Sequence, residues 1–307
     1  HLSIRRQRQM CIRDRAVGVQ DIPLIIEECV EAGVKGAVVF ASGFKEVGDK
    51  GAKWQEEIAA IANRGNMIII GPNTIGMINT YVNLSATFVA GLPMKQGAVG
   101  IISQSGGVSQ IIINQFIDMN LGFSKLIAVG NRCNLEFADV LEYFRKDPYT
   151  KVIGMFIEGV DNARRLIDVA RHTVKEKPVL VYKAGRTKSS PQAAYSHTGS
   201  LSGTYRIYSA AFKSGGMVEV DNITELVDTA YALTSLRLKP KDNKVFILTH
   251  TSGPSIIALD VLEMGGAVIT SLSKETSERL VKVMPQGAPP VGNPLDVIGA
   301  GWVRPKL

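Results

Sequence analysis

After residue 20 the chain keeps a strict rhythm: continuous apolar runs rich in Val and Ile alternate with single stretches of helical period. IPLIIEECVEAG reads as a helix closed by Gly33, and VKGAVVFAS as a buried strand. KWQEEIAAIANRG reads as a helix with Gly65 as its stop, and NMIIIGPN as another strand. Strands apolar on both faces, each followed by one helix, fit a parallel sheet covered on both sides. The pattern predicts an α/β protein built of doubly wound parallel-sheet domains in tandem.

The rhythm breaks at TYVNLSATFVAGLPMKQG, residues 80–97, which has no clean period and carries Gly91, Pro93 and Gly97. A domain boundary is expected there. Alternation resumes with GAVGIIS and GGVSQIIINQFIDMN and continues to about residue 237, where RLKPKDNK reads as a charged linker. A further unit opens with VFILTHTSGPSIIALDVLEMGG. The division expected is a leader over 1–15, a first domain over 16–92, a second over 93–237 and a third over 238–307. The first domain starts in mid-pattern and the third is short for a full α/β sheet, so the chain reads as truncated at both ends. GIISQSGGVSQIIINQF and FILTHTSGPSIIALDVL share one order: apolar strand, Ser or Thr, Ser-Gly, helix.

Composition narrows the partners. The net charge of +7 invites a nucleic-acid reading, but HLSIRRQRQMCIRDR holds five arginines against one aspartate and so supplies four of those charges. This leader reads as a tail or a non-native scar, with a basic targeting arm as the alternative. No apolar run approaches the roughly 20 residues needed to span a bilayer. The three cysteines, Cys11, Cys29 and Cys133, stand in no metal spacing and fit a reducing compartment. A cytoplasmic protein is expected, with no nucleic-acid or membrane partner and no metal site of its own.

Chemistry is expected beyond the carboxyl ends of the strands, where open parallel sheets bind ligands. SQSGG, residues 103–107, runs from a strand into a helix. Its free backbone N–H groups and the helix dipole would attract an anion, most naturally phosphate, or the segment is only a tight turn. THTSGPS, residues 249–255, offers the same geometry, with His250 a turn residue to which no chemistry is assigned. His197 stands in AYSHTGSLSG on a loop of small polar residues, just ahead of a helix. A neutral imidazole there can act as a nucleophile toward phosphorus, or simply cap the helix. Glu158 ends the apolar strand MFIEGV, where it could fix an imidazole tautomer, cap a helix or be merely solvated. Lys183 and Arg186 in KAGR would attract anions or be plain surface charges.

Taken together these residues carry a resemblance. GPNTIGMINT (71–80), SQSGG (103–107), GN (130–131), DVLEYFRKDPYTKVIGMFIEG (139–159), KAGR (183–186), SHTGSLSG (196–203) and GNPLD (292–296) stand in one order over residues 16–300. The chain resembles the alpha portion of the NDP-forming acyl-CoA synthetases, the family of ADP-forming acetate–CoA ligase, itself related to succinyl-CoA ligase. The resemblance implies a partial Rossmann-like CoA-binding domain followed by flavodoxin-like domains. It implies that His197 is the phosphorylated histidine and that Glu158 orients it. Ser105, Gly106 and Gly107, with Ser252 and Gly253, would grip the phosphate, and Pro72 and Asn73 would stand at the CoA and acyl site. The implied reaction turns acyl-CoA, ADP and phosphate into a carboxylic acid, CoA and ATP through an acyl phosphate. ADP or ATP with Mg2+ would be held by an ATP-grasp partner, either a beta subunit or a fused domain, giving a hetero-oligomer or a homodimer of a fused chain. The opening strand and glycine-rich loop of the CoA domain are absent, as is any ATP-grasp segment, so the chain alone is expected to bind CoA poorly and not to complete the cycle. Two other readings are weighed: a non-catalytic acyl-CoA- or nucleotide-sensing relative, such as the regulatory region of a protein acetyltransferase, and a plain nucleotide- or flavin-binding module.

Overall fold

The computed structural model describes residues 18–92, 95–187, 205–236, 240–285 and 287–298. It divides into two compact units, residues 1–236 and 237–307. His197 and the rest of SHTGSLSG lie outside the described residues, as does the leader.

The first unit opens with α1 (Ile22–Glu31), β1 (Gly36–Val38), α2 (Asp49–Arg64) and β2 (Ile68–Ile70). Pro23 sits in the first turn of α1, where its missing N–H leaves no intrahelical bond unmade. Ile58, Ile61 and Ala62 recur at helical spacing and turn one face of α2 inward. They pack with Ile22, Ile26 and Ile69 around the parallel pair β1–β2.

The stretch without a clean period holds the turn and the second strand of a hairpin, β3 (Gly76–Asn79) and β4 (Leu84–Thr87), antiparallel with Gly76 opposite Thr87. Gly76 has φ +98°, and a Cβ there would lie 2.0 Å from the Ala86 carbonyl oxygen, so only glycine fits. β3 then pairs with the sheet that follows, and the boundary expected after residue 92 comes later than two strands of that sheet. An edge pair of short strands buries alternate residues only, which leaves no continuous apolar run in the sequence.

The sheet itself is built from β5 (Gln96–Ser103), α3 (Gly106–Asp118), β6 (Phe123–Ala128), α4 (Phe137–Lys146), β7 (Val152–Ile157), α5 (Ala163–Thr173), β8 (Val179–Lys183), α6 (Tyr205–Ser214), β9 (Val218–Glu219) and α7 (Ile223–Ser235). Its seven strands run β4-β3-β6-β5-β7-β8-β9, parallel from β6 onward. Counted from β5, the parallel strands take the order 2-1-3-4-5 of the flavodoxin-like doubly wound fold. β6 and β7 are buried at every residue. One face packs on Phe137, Leu141 and Phe144 of α4, Leu166 of α5 and Phe212 of α6. The other packs on Ile112, Ile113 and Phe116 of α3 and Leu226 and Val227 of α7. Continuous Val/Ile/Phe runs thus form central strands because apolar helices cover both faces.

The second unit holds β10 (Lys244–Val245), β11 (Leu248–Thr249), α8 (Ser252–Met264), β12 (Val268–Ile269), α9 (Lys274–Val281) and β13 (Leu295–Asp296). β10 pairs with β12 and β11 with β13, both in parallel. Among the described residues no helix is long and apolar enough to cross a membrane.

Candidate functional site

The switch point of a 2-1-3-4-5 sheet lies between its first and third strands, where successive connections leave in opposite directions and open a crevice. Here those strands are β5 and β7, and the segments beyond them are SQSGG and the turn that starts at Glu158. Gln104, 4% exposed, joins the two. Its Oε1 accepts from the backbone N–H of Glu158 at 2.8 Å and of Gly159 at 3.0 Å. The Gln104 backbone N–H donates to the Phe156 carbonyl at 3.1 Å. One amide side chain therefore satisfies two donors that the end of β7 would otherwise bury unpaired. This residue was missed as a site residue in the sequence, although it is the second letter of SQSGG.

Ser105 caps α3, its Oγ accepting from Val108 N–H at 3.4 Å. Ser103 and Ser109 both donate to the Ser105 carbonyl, at 2.9 and 2.8 Å, which fixes the turn. The two glycines differ in what they are for. A Cβ on Gly106 would stand 2.6 Å from Ile75 Cγ2, whereas one on Gly107 would meet nothing within 4 Å. Gly106 thus allows the turn to close on the segment that follows Pro72 and Asn73, and Gly107 faces open space at the start of α3.

Pro72 and Asn73 meet GN (130–131) across the end of β6. Asn131 N–H donates to the Pro72 carbonyl at 2.9 Å, and Asn73 N–H to the Ala41 carbonyl at 2.9 Å. The side chains of Asn73 and Asn131 bond at 3.4 Å, and Asn131 Nδ2 also reaches Glu46 at 2.5 Å and Gln55 at 3.1 Å. Gly130 has φ +55°, and a Cβ would lie 2.3 Å from the Pro72 oxygen. Two of the quoted motifs, 58 residues apart, are one knot that ties the β1–β2 layer to the larger sheet. Beside it Arg132 is buried, pairing with Asp161 at 3.0 Å and Glu136 at 3.4 Å. Cys133 is a thiol that burial pushes up to about 12, too high to serve as a nucleophile near neutrality.

Glu158 is buried, 9% exposed, so the solvated alternative does not describe it. Lys183 at the end of β8 has no exposed surface, contrary to a plain surface charge. Its ammonium donates to the Ala184 carbonyl and stands 4.5 Å from the Tyr208 ring centroid. Burial holds its pKa down at about 8, against the pull of Glu158 and with the push of Arg186. Arg186 pairs with Asp221 at 2.6 Å and lies over the rings of Tyr182 and Tyr205, at 4.9 and 5.1 Å.

The structure therefore brings Ser105, Gly106, Gly107, Glu158, Pro72 and Asn73 to one carboxyl edge. Ser252 and Gly253 start α8 in the other unit, where Ser252 Oγ donates to Asp296 at 2.5 Å. Among the described residues no three His, Cys, Asp or Glu side chains gather as a metal site requires. An open cleft of about 730 Å3, lined by Arg145, Arg165, Asp168 and His172, shares no residue with this cluster.

A succinyl-CoA ligase like flavodoxin domain model matches residues 96–233, the stretch from β5 into α7. Subunit alpha of acetate–CoA ligase [ADP-forming] II of Pyrococcus furiosus is 42% identical over 273 residues, which are 89% of this chain and 59% of that one. Acetate–CoA ligase [ADP-forming] of Methanocaldococcus jannaschii is 41% identical, over 91% of this chain and 39% of that one. A solved structure of the dinucleotide forming acetyl-coenzyme A synthetase 1 of Ca. Korarchaeum cryptofilum, in complex with phosphate and ADP, superposes with a TM-score of 0.85 at 34% identity. The chain belongs to the NDP-forming acyl-CoA synthetase family. It spans 59% of the length of the Pyrococcus relative and 61% of that of the solved chain, with 92% of its own residues aligned to the latter.

Proposed function

We propose that this chain is the alpha portion of an ADP-forming acid–CoA ligase, which runs acyl-CoA + ADP + phosphate ⇌ carboxylic acid + CoA + ATP. The observation that carries this reading is the Gln104 bridge. It binds the phosphate-type turn of α3 to the strand end that bears Glu158, at the crevice of the sheet.

In the first step a phosphate oxygen attacks the thioester carbonyl, the C–S bond breaks, and CoA leaves as its thiol after taking a proton. The N–H groups at the start of α3, behind Ser105, Gly106 and Gly107, stabilise the anionic phosphoryl group. Pro72 and Asn73 border the CoA and acyl site. In the second step a ring nitrogen of His197 attacks phosphorus, the P–O bond to the acyl group breaks, and the carboxylate departs. Glu158 accepts the other ring N–H, which fixes the tautomer and stabilises the cation that forms. In the third step an ADP oxygen takes the phosphoryl group from His197 and the P–N bond breaks. ADP and Mg2+ belong to an ATP-grasp portion, fused or separate, and the segment around His197 serves both sites. Ser252 and Gly253 supply a second helix start of the same kind. The free, half-buried thiol of Cys133 accords with a cytoplasmic enzyme.

The test is transfer of label from an acyl phosphate carrying 32P to the chain. An acid-labile, alkali-stable label that is lost in His197→Ala supports the reading, with Glu158→Gln slowing labelling by about 100-fold or more. A label that persists in His197→Ala overturns it. A chain that binds acyl-CoA but never takes label is a sensing relative instead.

A further inference from the structure

We propose that Gln104 touches the phosphoryl group: its side-chain amide N–H donates to a phosphate oxygen at the start of α3, beside the backbone donors of Gly106 and Gly107. The inference deepens the reading above and rests on its assignment of phosphate to that helix start.

The hydrogen bonds decide which way round the amide stands. Two backbone donors, Glu158 N–H at 2.8 Å and Gly159 N–H at 3.0 Å, converge on one end of the side chain, so that end is the oxygen. The other end is an NH2 group, and a flip would set donor against donor. This nitrogen makes no hydrogen bond among the described residues. Nor is it one of the fully buried side-chain atoms left without a partner, so it keeps contact with solvent although the residue is only 4% exposed. A pinned, nearly buried side chain thus carries an unspent donor, which a ligand oxygen would satisfy. Accepting twice at the carbonyl also polarises the amide and strengthens its N–H as a donor.

Its place in the chain matches that use. Gln104 stands between Ser103, the last residue of β5, and Ser105, the cap of α3. Its oxygen faces the end of β7, so its nitrogen is turned away from that strand end. Val108 N–H is taken by Ser105 Oγ and Ser109 N–H by the Ser105 carbonyl. The N–H groups of Gly106 and Gly107 have no intrahelical partner, and none among the described residues. A Cβ on Gly107 would meet nothing within 4 Å, so space lies before this helix start. The unspent backbone and amide groups are all donors, which suits an anion rich in acceptor oxygens.

The experiment measures KM for inorganic phosphate and for acyl-CoA in ATP formation by the assembled ligase, this chain with its ATP-grasp portion. Gln104→Glu keeps one oxygen for the two backbone N–H groups and replaces the NH2 by a second, charged oxygen. KM for phosphate is expected to rise by about tenfold or more, with KM for acyl-CoA within about twofold of the parent and the thermal midpoint kept. An unchanged phosphate KM overturns the proposal. So does an equal rise in both KM values, which leaves Gln104 a strand-end bridge alone. Should the glutamate variant fail to fold, the parent decides under titration with inorganic phosphate. A shift of the Gln104 side-chain N–H signals in its NMR spectrum supports the proposal, and signals that stay still while phosphate saturates overturn it. Gly107→Asp sets a carboxylate at the same helix start, in open space. A raised phosphate KM in Gly107→Asp beside an unmoved one in Gln104→Glu rejects this inference alone. An unmoved phosphate KM in both removes phosphate from the start of α3 and rejects the reading beneath it.

Discussion

In the turn after β5 the Ser103 hydroxyl donates to the Ser105 carbonyl at 2.9 Å, and in the turn after β11 the Thr249 hydroxyl donates to the Thr251 carbonyl at 2.8 Å. A serine inside each following helix then bonds back to the turn, Ser109 to Ser105 and Ser255 to Ser252. The same local device is built twice, and its surroundings differ. The first turn leaves a strand buried along its C-terminal half and enters a helix that buries Ile112, Ile113 and Phe116. The second enters a helix whose Ile256, Ile257 and Val261 are 59%, 67% and 66% exposed. The residue after the first strand is a buried glutamine that bridges to Glu158, whereas the equivalent residue in the second turn is an exposed histidine, His250. At the start of α8 a carboxylate, Asp296, already takes the Ser252 hydroxyl, so negative charge of the protein itself stands at that helix end. A turn of this kind is local chemistry. What it can bind or position depends on which strand end the sheet sets beside it.

Three pairs of substitutions sharpen or break this comparison. The largest difference is expected between Phe116→Ala and Ile257→Ala. Phe116 is 1% exposed, and its loss should destabilise the chain by about 3–5 kcal/mol in urea unfolding. Ile257→Ala should stay within about 0.5 kcal/mol. Equal losses would mean that the two helices are equally packed, against the contrast drawn. Next come the glycines. Gly106→Ala forces a Cβ against Ile75 and should cost about 1–3 kcal/mol, together with ligase activity. Gly253→Ala meets no atom within 4 Å and should be neutral or slightly stabilising in the same measurement. The smallest difference concerns the caps. Ser105→Ala removes a long hydrogen bond and should cost about 0.5 kcal/mol, while Thr251 makes no side-chain cap bond and its replacement by Ala should leave the midpoint unchanged.

Much of this architecture was legible in the sequence because burial on two faces writes itself as continuous apolar runs. GAVGIIS, KLIA and VIGMFI could hardly be anything but central strands. The hairpin over 76–87 was not legible. Its strands are short, lie at an edge and bury alternate residues, so they resemble a loop with a few apolar letters. In the site, Glu158 stood out because a carboxylate at the end of an apolar strand has no packing reason to be there. Lys183 fitted two opposite readings, since the sequence does not show that α6 returns to lay Tyr208 against its ammonium. His197, the centre of the chemical reading, lies outside the described residues.

Side-chain periodicity determined, unaided, which segments are helices and strands, where small and hydroxylated residues make a turn, and that the strands are parallel and covered. Tertiary structure alone decided that Gln104 would accept from Glu158, 54 residues later, and that Pro72 and Asn73 would be knotted to Asn131. The reason is physical. Burial patterns are carried by the side chains of each segment, whereas strand order is closed by backbone N–H and C=O groups that nearly every residue offers alike. Which strand ends become neighbours emerges only when the whole sheet is packed.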